Sequence, residues 1–197
     1  MKKIGFIGCG NMGGALAKAA VKSLGAESIF VFDTDSQKIK DFAEENDVNI
    51  ADAEYIVLNC DYVFLGVKPQ MLKSLFEKLV PVIEERTTDF VLVSMAAGVS
   101  LSSLGTMAQI DCPIIRIMPN MPASVGEGMI LYTFNEFVSK EDVDGFLDTM
   151  KFAGRLDKID EDKIDAASCV SGCGPAFVFM FCEALADGAV ATNATNI

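Results

Sequence analysis

Residues 3–22 read KIGFIGCGNMGGALAKAAVK, and the reading of this stretch decides the fold. The apolar run Ile4 to Ile7 enters a Gly8-x-Gly10-x-x-Gly13 turn. Beyond it Ala15, Leu16, Ala19 and Ala20 recur at helical spacing. The order is strand, turn, helix, with the amides of the first helical turn bare. Such a start combines unpaired N–H donors with the positive end of the helix dipole, so it suits a pyrophosphate. Gly8 permits the tight turn, Gly10 lets phosphate approach the backbone, and Gly13 lets the helix pack closely on the strand.

At 197 residues the chain is long for one domain and short for two, and it can bury roughly 70% of its unfolded surface. One main domain with a small annex fits. Asn, Gly, Lys or Asp breaks each apolar run before the ~20 residues of a membrane span. The expectation is a soluble globular protein without a membrane partner. A formal charge of −12 opposes phosphate backbones, and no basic cluster overrides it, so nucleic acid is not expected as a partner. Met1-Lys2-Lys3 before an apolar run imitates a secretory signal with Ala17-Lys18-Ala19 as cleavage site. Asn11, Lys18 and the glycines interrupt it, which leaves cytoplasm as the expected compartment.

The sequence contains no histidine. This removes the usual general base, the Ser-His and Cys-His nucleophile pairs, and imidazole metal ligands. The cysteines at 9, 60, 112, 169, 173 and 182 form no C-x-x-C pair, and in a reducing compartment they are expected to be buried as small hydrophobes. Cys169 and Cys173 can share a helix face, but two thiols alone do not make a zinc site. No metal is expected.

After the first helix, Ser28 to Phe32 predicts a second buried strand ending at Asp33. A carboxylate there can accept hydrogen bonds from an adenosine ribose diol and repels a 2′-phosphate, which leans the cofactor toward NADH. Asp33 can equally begin a turn, since Thr34-x-x-Gln37 reads as a capping box for a helix carrying Ile39, Phe42 and Ala43. A short strand and a short helix are expected within Val48 to Asn59. Tyr62 to Val67 is a continuous apolar strand of the parallel-sheet kind, stopped by Lys68-Pro69, with a helix following through Leu72, Leu75, Phe76 and Leu79. Phe90 to Ser94 repeats the pattern and runs into Met95-Ala96-Ala97-Gly98, where small residues at a strand's carboxyl end admit a flat ring. The same loop also reads as a tight strand-to-helix connection.

Pro113 to Met118 predicts a further strand, leading to Pro119-Asn120-Met121-Pro122-Ala123, a proline-stiffened loop in which Asn120 offers both donor and acceptor. Gly126 to Tyr132 predicts another strand. Ser139-x-x-Asp142 caps a helix with Val143, Phe146, Leu147 and Met150 inward, and Phe152 to Asp160 adds an edge strand. From Glu161 the chain turns helical, with a break at Ser171 to Pro175. In the helix Ala176 to Val190, Phe177, Met180, Phe181, Ala184 and Leu185 cover so many sides that a second partner is required.

These residues together resemble the pyrroline-5-carboxylate reductase family from Lys3 to about Ala191. The resemblance is carried by Phe6-Ile7-Gly8-Cys9-Gly10-Asn11-Met12-Gly13, Val67-Lys68-Pro69-Gln70, Ser94-Met95-Ala96-Ala97-Gly98-Val99-Ser100, Arg116-Ile117-Met118-Pro119-Asn120-Met121-Pro122, Ser171-Gly172-Cys173-Gly174-Pro175-Ala176 and Glu183-Ala184-Leu185-Ala186-Asp187. It implies an α/β Rossmann-type doubly wound sheet over 1–160, then the beginning of an all-helical domain over 161–197 that exchanges helices with a partner, so a homo-oligomer, dimer or higher. It implies hydride transfer from NAD(P)H to the imine carbon of 1-pyrroline-5-carboxylate, giving L-proline. The implied cofactor residues are Gly8, Gly10, Asn11, Met12, Gly13, Asp33, Gly66, Val67, Lys68, Pro69, Met95, Ala96, Ala97, Gly98 and Asn120. The implied substrate residues are Met118, Pro119, Asn120, Ser171, Gly172, Gly174, Pro175 and Glu183. No side chain is assigned as catalytic, because a cyclic imine can arrive protonated or take its proton from water or a hydroxyl.

Three departures from the family pattern stand out. The family continues through a Gly-Leu-Pro turn, further helices and a Ser-Pro-Gly-Gly-Thr-Thr segment that holds substrate; here Asn193 to Ile197 replaces that turn, as if the chain were truncated or its end read through in another frame. Cys173 stands where the family usually has serine, and Ala53 where an asparagine often contacts cofactor. Two other readings follow. One is a non-catalytic NAD(P)-binding module. The other is a β-hydroxyacid dehydrogenase, whose required lysine finds only Lys163, in surroundings that do not fit.

Overall fold

The computed structural model describes residues 2–192; the expected replacement of a turn at Asn193 to Ile197 lies outside the described residues. The elements are β1 (Ile4–Ile7), α1 (Asn11–Leu24), β2 (Ile29–Phe32), α2 (Ser36–Asn46), β3 (Asn49–Ile50), α3 (Ala53–Asn59), β4 (Tyr62–Leu65), α4 (Leu72–Glu85), β5 (Val91–Ser94), α5 (Leu101–Ala108), β6 (Ile114–Met118), β7 (Gly128–Phe134), α6 (Lys140–Met150), β8 (Gly154–Lys158), α7 (Glu161–Ser171) and α8 (Gly174–Ala191). The strand order is β3-β2-β1-β4-β5-β6-β7-β8. The first six strands are parallel, β7 runs antiparallel to β6, and β8 is parallel to β7. The expected doubly wound sheet is therefore present, extended by two reversed strands.

The continuous apolar strands are explained by burial on both faces. Every residue of β1, β4 and β5 is buried, as a parallel sheet covered by helices requires. Alternation sends Ile4, Phe6, Phe64, Ile115 and Ile117 to a core with α1 and α6, and Ile7, Val63, Leu65, Leu92 and Ile114 to a core with α3, α4 and α5. Phe6 stacks on Phe64 with centroids 4.5 Å apart.

The structure corrects several expectations. The cap of α2 is Asp35, whose carboxylate accepts from Lys38 N at 3.1 Å, not Thr34; Thr34 is consumed in the turn that Asp33 closes on the Asp35 amide. The strand expected from Gly126 starts at Gly128, because Met121–Val125 forms a 3-10 turn ended by Gly126 at φ 83°. The Ser139–Asp142 capping box is present.

Only Cys9, Cys60 and Cys112 are buried. Cys169, Cys173 and Cys182 are exposed, since they lie on α7 and α8, or between them, where none of the described residues covers them. No residue of α8 is buried. Contrary to the run-length expectation, Glu161–Ala191 is long and apolar enough to cross a membrane by length and composition. Four of its six charges lie at the start of α7, and Glu183 and Asp187 are the charges in the strongly apolar α8.

Candidate functional site

Strand order reverses direction at β1, with β2 on one side and β4 on the other. Connections leave the carboxyl ends of β1 and β4 toward opposite faces of the sheet, which opens a crevice there. A cleft of about 550 Å³ occupies it, with Gly8, Gly10, Asp33, Gly66, Val67 and Lys68 among its lining residues. Gly8 has φ 99°, a conformation that glycine adopts without steric cost. Its carbonyl is wedged between Gly13 of α1 and Gly66 just beyond β4: a Cβ on either would collide with Gly8 O. Three glycines thus let β1, α1 and the end of β4 close on one another.

The helix that leaves this turn starts open. Gly10 is its N-cap without a side-chain cap, and no acid lies in the first turn. The first intrahelical bond runs from Gly14 N to Gly10 O at 2.8 Å, so the amides of Asn11, Met12 and Gly13 have no partner within the helix.

Asp33 follows β2 and meets three donors. Oδ2 accepts from Cys9 N at 2.9 Å and Lys38 Nζ at 3.1 Å, while Oδ1 accepts from Asp35 N at 3.1 Å. Burial opposes its ionisation, but the Asp35 amide, the Lys38 ammonium and the Cys9 amide outweigh this and hold its carboxyl below the ordinary value. Burial, reinforced by the Asp33 charge, pushes the Cys9 thiol up to about 12. Cys9 is thus a neutral packing group at neutral pH.

The second group of sequence-selected residues gathers at the carboxyl ends of β5 and β6. Met95 N reaches Leu65 O at 3.4 Å, which sets the Met95–Gly98 loop beside the end of β4; Ala96 is buried and Ala97 and Gly98 are exposed. Met118 ends β6. Asn120 is buried, and both ends of its amide are engaged: Oδ1 accepts from Met129 N at 2.9 Å and Nδ2 donates to Ser171 O at 2.8 Å. The fold thus brings Asn120 and Ser171 together across 51 residues of chain. Ser171 Oγ is enclosed without a hydrogen-bond partner among the described residues.

Other selected residues are not brought to the cleft. Asn11, Met12, Pro69, Met95 to Gly98, Met118 to Asn120, Ser171, Gly172, Gly174, Pro175 and Glu183 do not line it. Pro69 opens the 3-10 turn before α4, and Gly174, Pro175 and Glu183 belong to α8. Conversely, Lys38, Ala53, Met71 and Lys78 line the cleft without having been assigned a role. Lys38 had a usable signal, a cation in the first turn of the helix after Asp33; Met71, in the 3-10 turn before α4, and Lys78, within α4, reach the cleft only through packing. Among the described residues no cluster of potential metal ligands exists.

Comparison with known proteins places this geometry. The family profile described as "NADP oxidoreductase coenzyme F420-dependent" matches residues 3–98, and "Pyrroline-5-carboxylate reductase dimerisation" matches 161–196. Pyrroline-5-carboxylate reductase of Escherichia coli (strain K12) is 37% identical over 192 residues, covering 96% of this chain and 70% of that protein. The crystal structure of pyrroline carboxylate reductase from Plasmodium falciparum with NADP bound superposes with TM-score 0.84 at 29% identity, over 97% of this chain and 70% of that one. A pyrroline-5-carboxylate reductase from Coxiella burnetii superposes with TM-score 0.89 at 30% identity, over 99% of this chain and 73% of that one. With that identity over that share of the relatives' length, on a fold the solved structures share, the chain belongs to the pyrroline-5-carboxylate reductase family.

Proposed function

We propose that the β1–β4 cleft holds the diphosphate and adenosine end of NAD(P)H, and that the reaction end is built from Met95–Gly98, Met118–Asn120 and Ser171–Pro175. The family's reaction is the reduction of 1-pyrroline-5-carboxylate to L-proline, which makes the chain an NAD(P)-dependent oxidoreductase. The observation that carries the site reading is the uncapped start of α1 behind a turn in which a Cβ on Gly8, Gly13 or Gly66 would collide with backbone. Bound NAD(P)H supplies the hydride. The chain binds, orients and excludes water.

In this reading the amides of Asn11, Met12 and Gly13 and the dipole of α1 offset the diphosphate charge. Gly66, Val67, Lys68 and Pro69 form the opposite wall, and Lys68 adds a cation. Ala96, Ala97 and Gly98 leave room for a flat ring at the end of β5, with Asn120 beside it. Met118, Pro119, Asn120, Ser171, Gly172, Gly174, Pro175 and Glu183 form the substrate side, the last three on the strength of the family resemblance. No side chain need abstract a proton, so the absence of histidine is consistent with the chemistry. Orientation supplies most of the rate.

The cofactor reading leans to NADH. An ionised carboxylate has about four acceptor positions, and the three donors on Asp33 leave room for one ribose hydroxyl. Lys38 tempers the preference, because its ammonium beside Asp33 reduces repulsion of a 2′-phosphate. Residues 1–160 form the nucleotide-binding unit and 161–197 belong to a helical dimerisation unit. The exposed apolar side of α8 supports a homo-oligomer, and the six free thiols fit cytoplasm. Titration with NADH, followed by proline formation from 1-pyrroline-5-carboxylate, tests the assignment. Saturable binding with turnover is expected; tight binding without proline would point to a nucleotide-binding module.

A further inference from the structure

Among the described residues Arg116 is the only charged residue in the buried interior, 2% exposed. It lies on β6 between Ile115 and Ile117, whose side chains enter the core with α1 and α6. Alternation therefore turns Arg116 to the face of α4 and α5, where α7 meets it. Its Nη1 lies 3.4 Å from Glu161 Oε1 and its Nη2 2.5 Å from Asp165 Oδ1. The two acids are four residues apart and so share one face of α7.

The connection continues at both ends of α7. Glu161 Oε1 also accepts from Leu101 N at 2.6 Å, the first residue of α5, into which the Met95–Gly98 loop leads. At the far end, Ser171 O accepts from Asn120 Nδ2 at 2.8 Å. Both anchors of α7 therefore spring from one strand: Arg116 lies within β6, and Asn120 two residues beyond it.

Apolar contact alone could hold α7 down, and the fully buried Ile164 already does so. A buried guanidinium is costly unless its donors are met, and here Nε has no partner among the described residues. Net stabilisation does not explain the arrangement. A planar fork gripping two carboxylates does something apolar packing cannot: it sets the rotation and the axial position of the helix.

We propose that Arg116, acting through Glu161 and Asp165, is a positioning residue that sets where the Ser171–Gly172 turn stands against Asn120, and thereby governs use of the imine substrate far more than affinity for the cofactor. The diphosphate and adenosine end of the cofactor, which anchors it, is spared because no residue of β6 or α7 lines the β1–β4 cleft. The enclosed Ser171 hydroxyl is the group whose placement depends on this grip. The proposal rests on the reading of Asn120 and Ser171 as the substrate side.

The test uses Glu161→Gln combined with Asp165→Asn, alongside Arg116→Lys. Both acids are partly solvent-exposed, and their amide replacements keep acceptors facing Arg116 but leave its charge unpaired, so that a lowered Tm by itself is expected. In the double variant the KM for 1-pyrroline-5-carboxylate should rise about tenfold while the Kd for NADH stays within about twofold. Hydrogen exchange of amides 168–172 should accelerate about tenfold with β1 to β5 unchanged. Arg116→Lys, which keeps the charge and loses the fork, should lie between the two. KM and Kd moving together with a lowered Tm, or faster exchange confined to the first turn of α7, would overturn the proposal. Asn120→Ala probes the underlying site reading separately: an unchanged imine KM there removes the substrate role of Asn120, whatever the Arg116 variants do.

Discussion

Asp33 shows how a single residue serves structure and selection together. Its carboxylate receives the Cys9 amide, tying the end of β2 to the glycine turn, and pairs with Lys38. Replacing it by serine should weaken NADH binding by about tenfold, or 1.4 kcal/mol, and shift relative preference toward NADPH; parallel titrations with both cofactors check this. Lys38→Ala should move preference the other way. The same residue predicts a pH dependence. Its folded-state pKa is depressed, so its stabilisation is present above the unfolded value of about 3.9 and is lost as pH falls through the lower folded value. Asp33→Asn should therefore be less stable than the parent by about 1–2 kcal/mol at neutral pH, and the gap should close below about pH 4. Urea melts across that range measure it.

At the scale of elements, the junction of β1, α1 and the end of β4 is the most tightly toleranced part of the site. Gly66 faces Gly8 O so closely that a methyl group cannot enter without moving the turn. Gly66→Ala should destabilise the fold by about 1–3 kcal/mol, the range of overpacked interiors. By displacing the turn ahead of α1 it should also weaken NADH binding about tenfold. Denaturation and titration on one preparation separate the two effects. Gly10, whose added Cβ would meet nothing within 4 Å, is the matching control for stability. Its Ala variant should keep the fold and lose cofactor affinity if the diphosphate approaches there.

For the whole molecule, α8 is the element that this chain alone leaves unexplained. Phe177 and Phe181, 66% and 65% exposed, lie four residues apart on one face, and the dimerisation family profile spans the same region. Phe177→Asp with Phe181→Asp should convert a dimeric or larger species into monomer, read by light scattering on a sizing column. The sequence by itself determined most of the Rossmann architecture, because apolar runs bounded by glycine and proline report burial on two faces, and a Gly-x-Gly-x-x-Gly turn after the first of them reports an approach only glycine allows. Asp33 was equally legible, since its spacing from the turn is local. Tertiary structure alone decided the rest. Met71 and Lys78 enter the cleft through helix packing, Asn120 meets Ser171 across the chain, and Arg116 is drawn inside to grip α7. Such meetings depend on long-range closure, which leaves no periodic trace in the residues that make them.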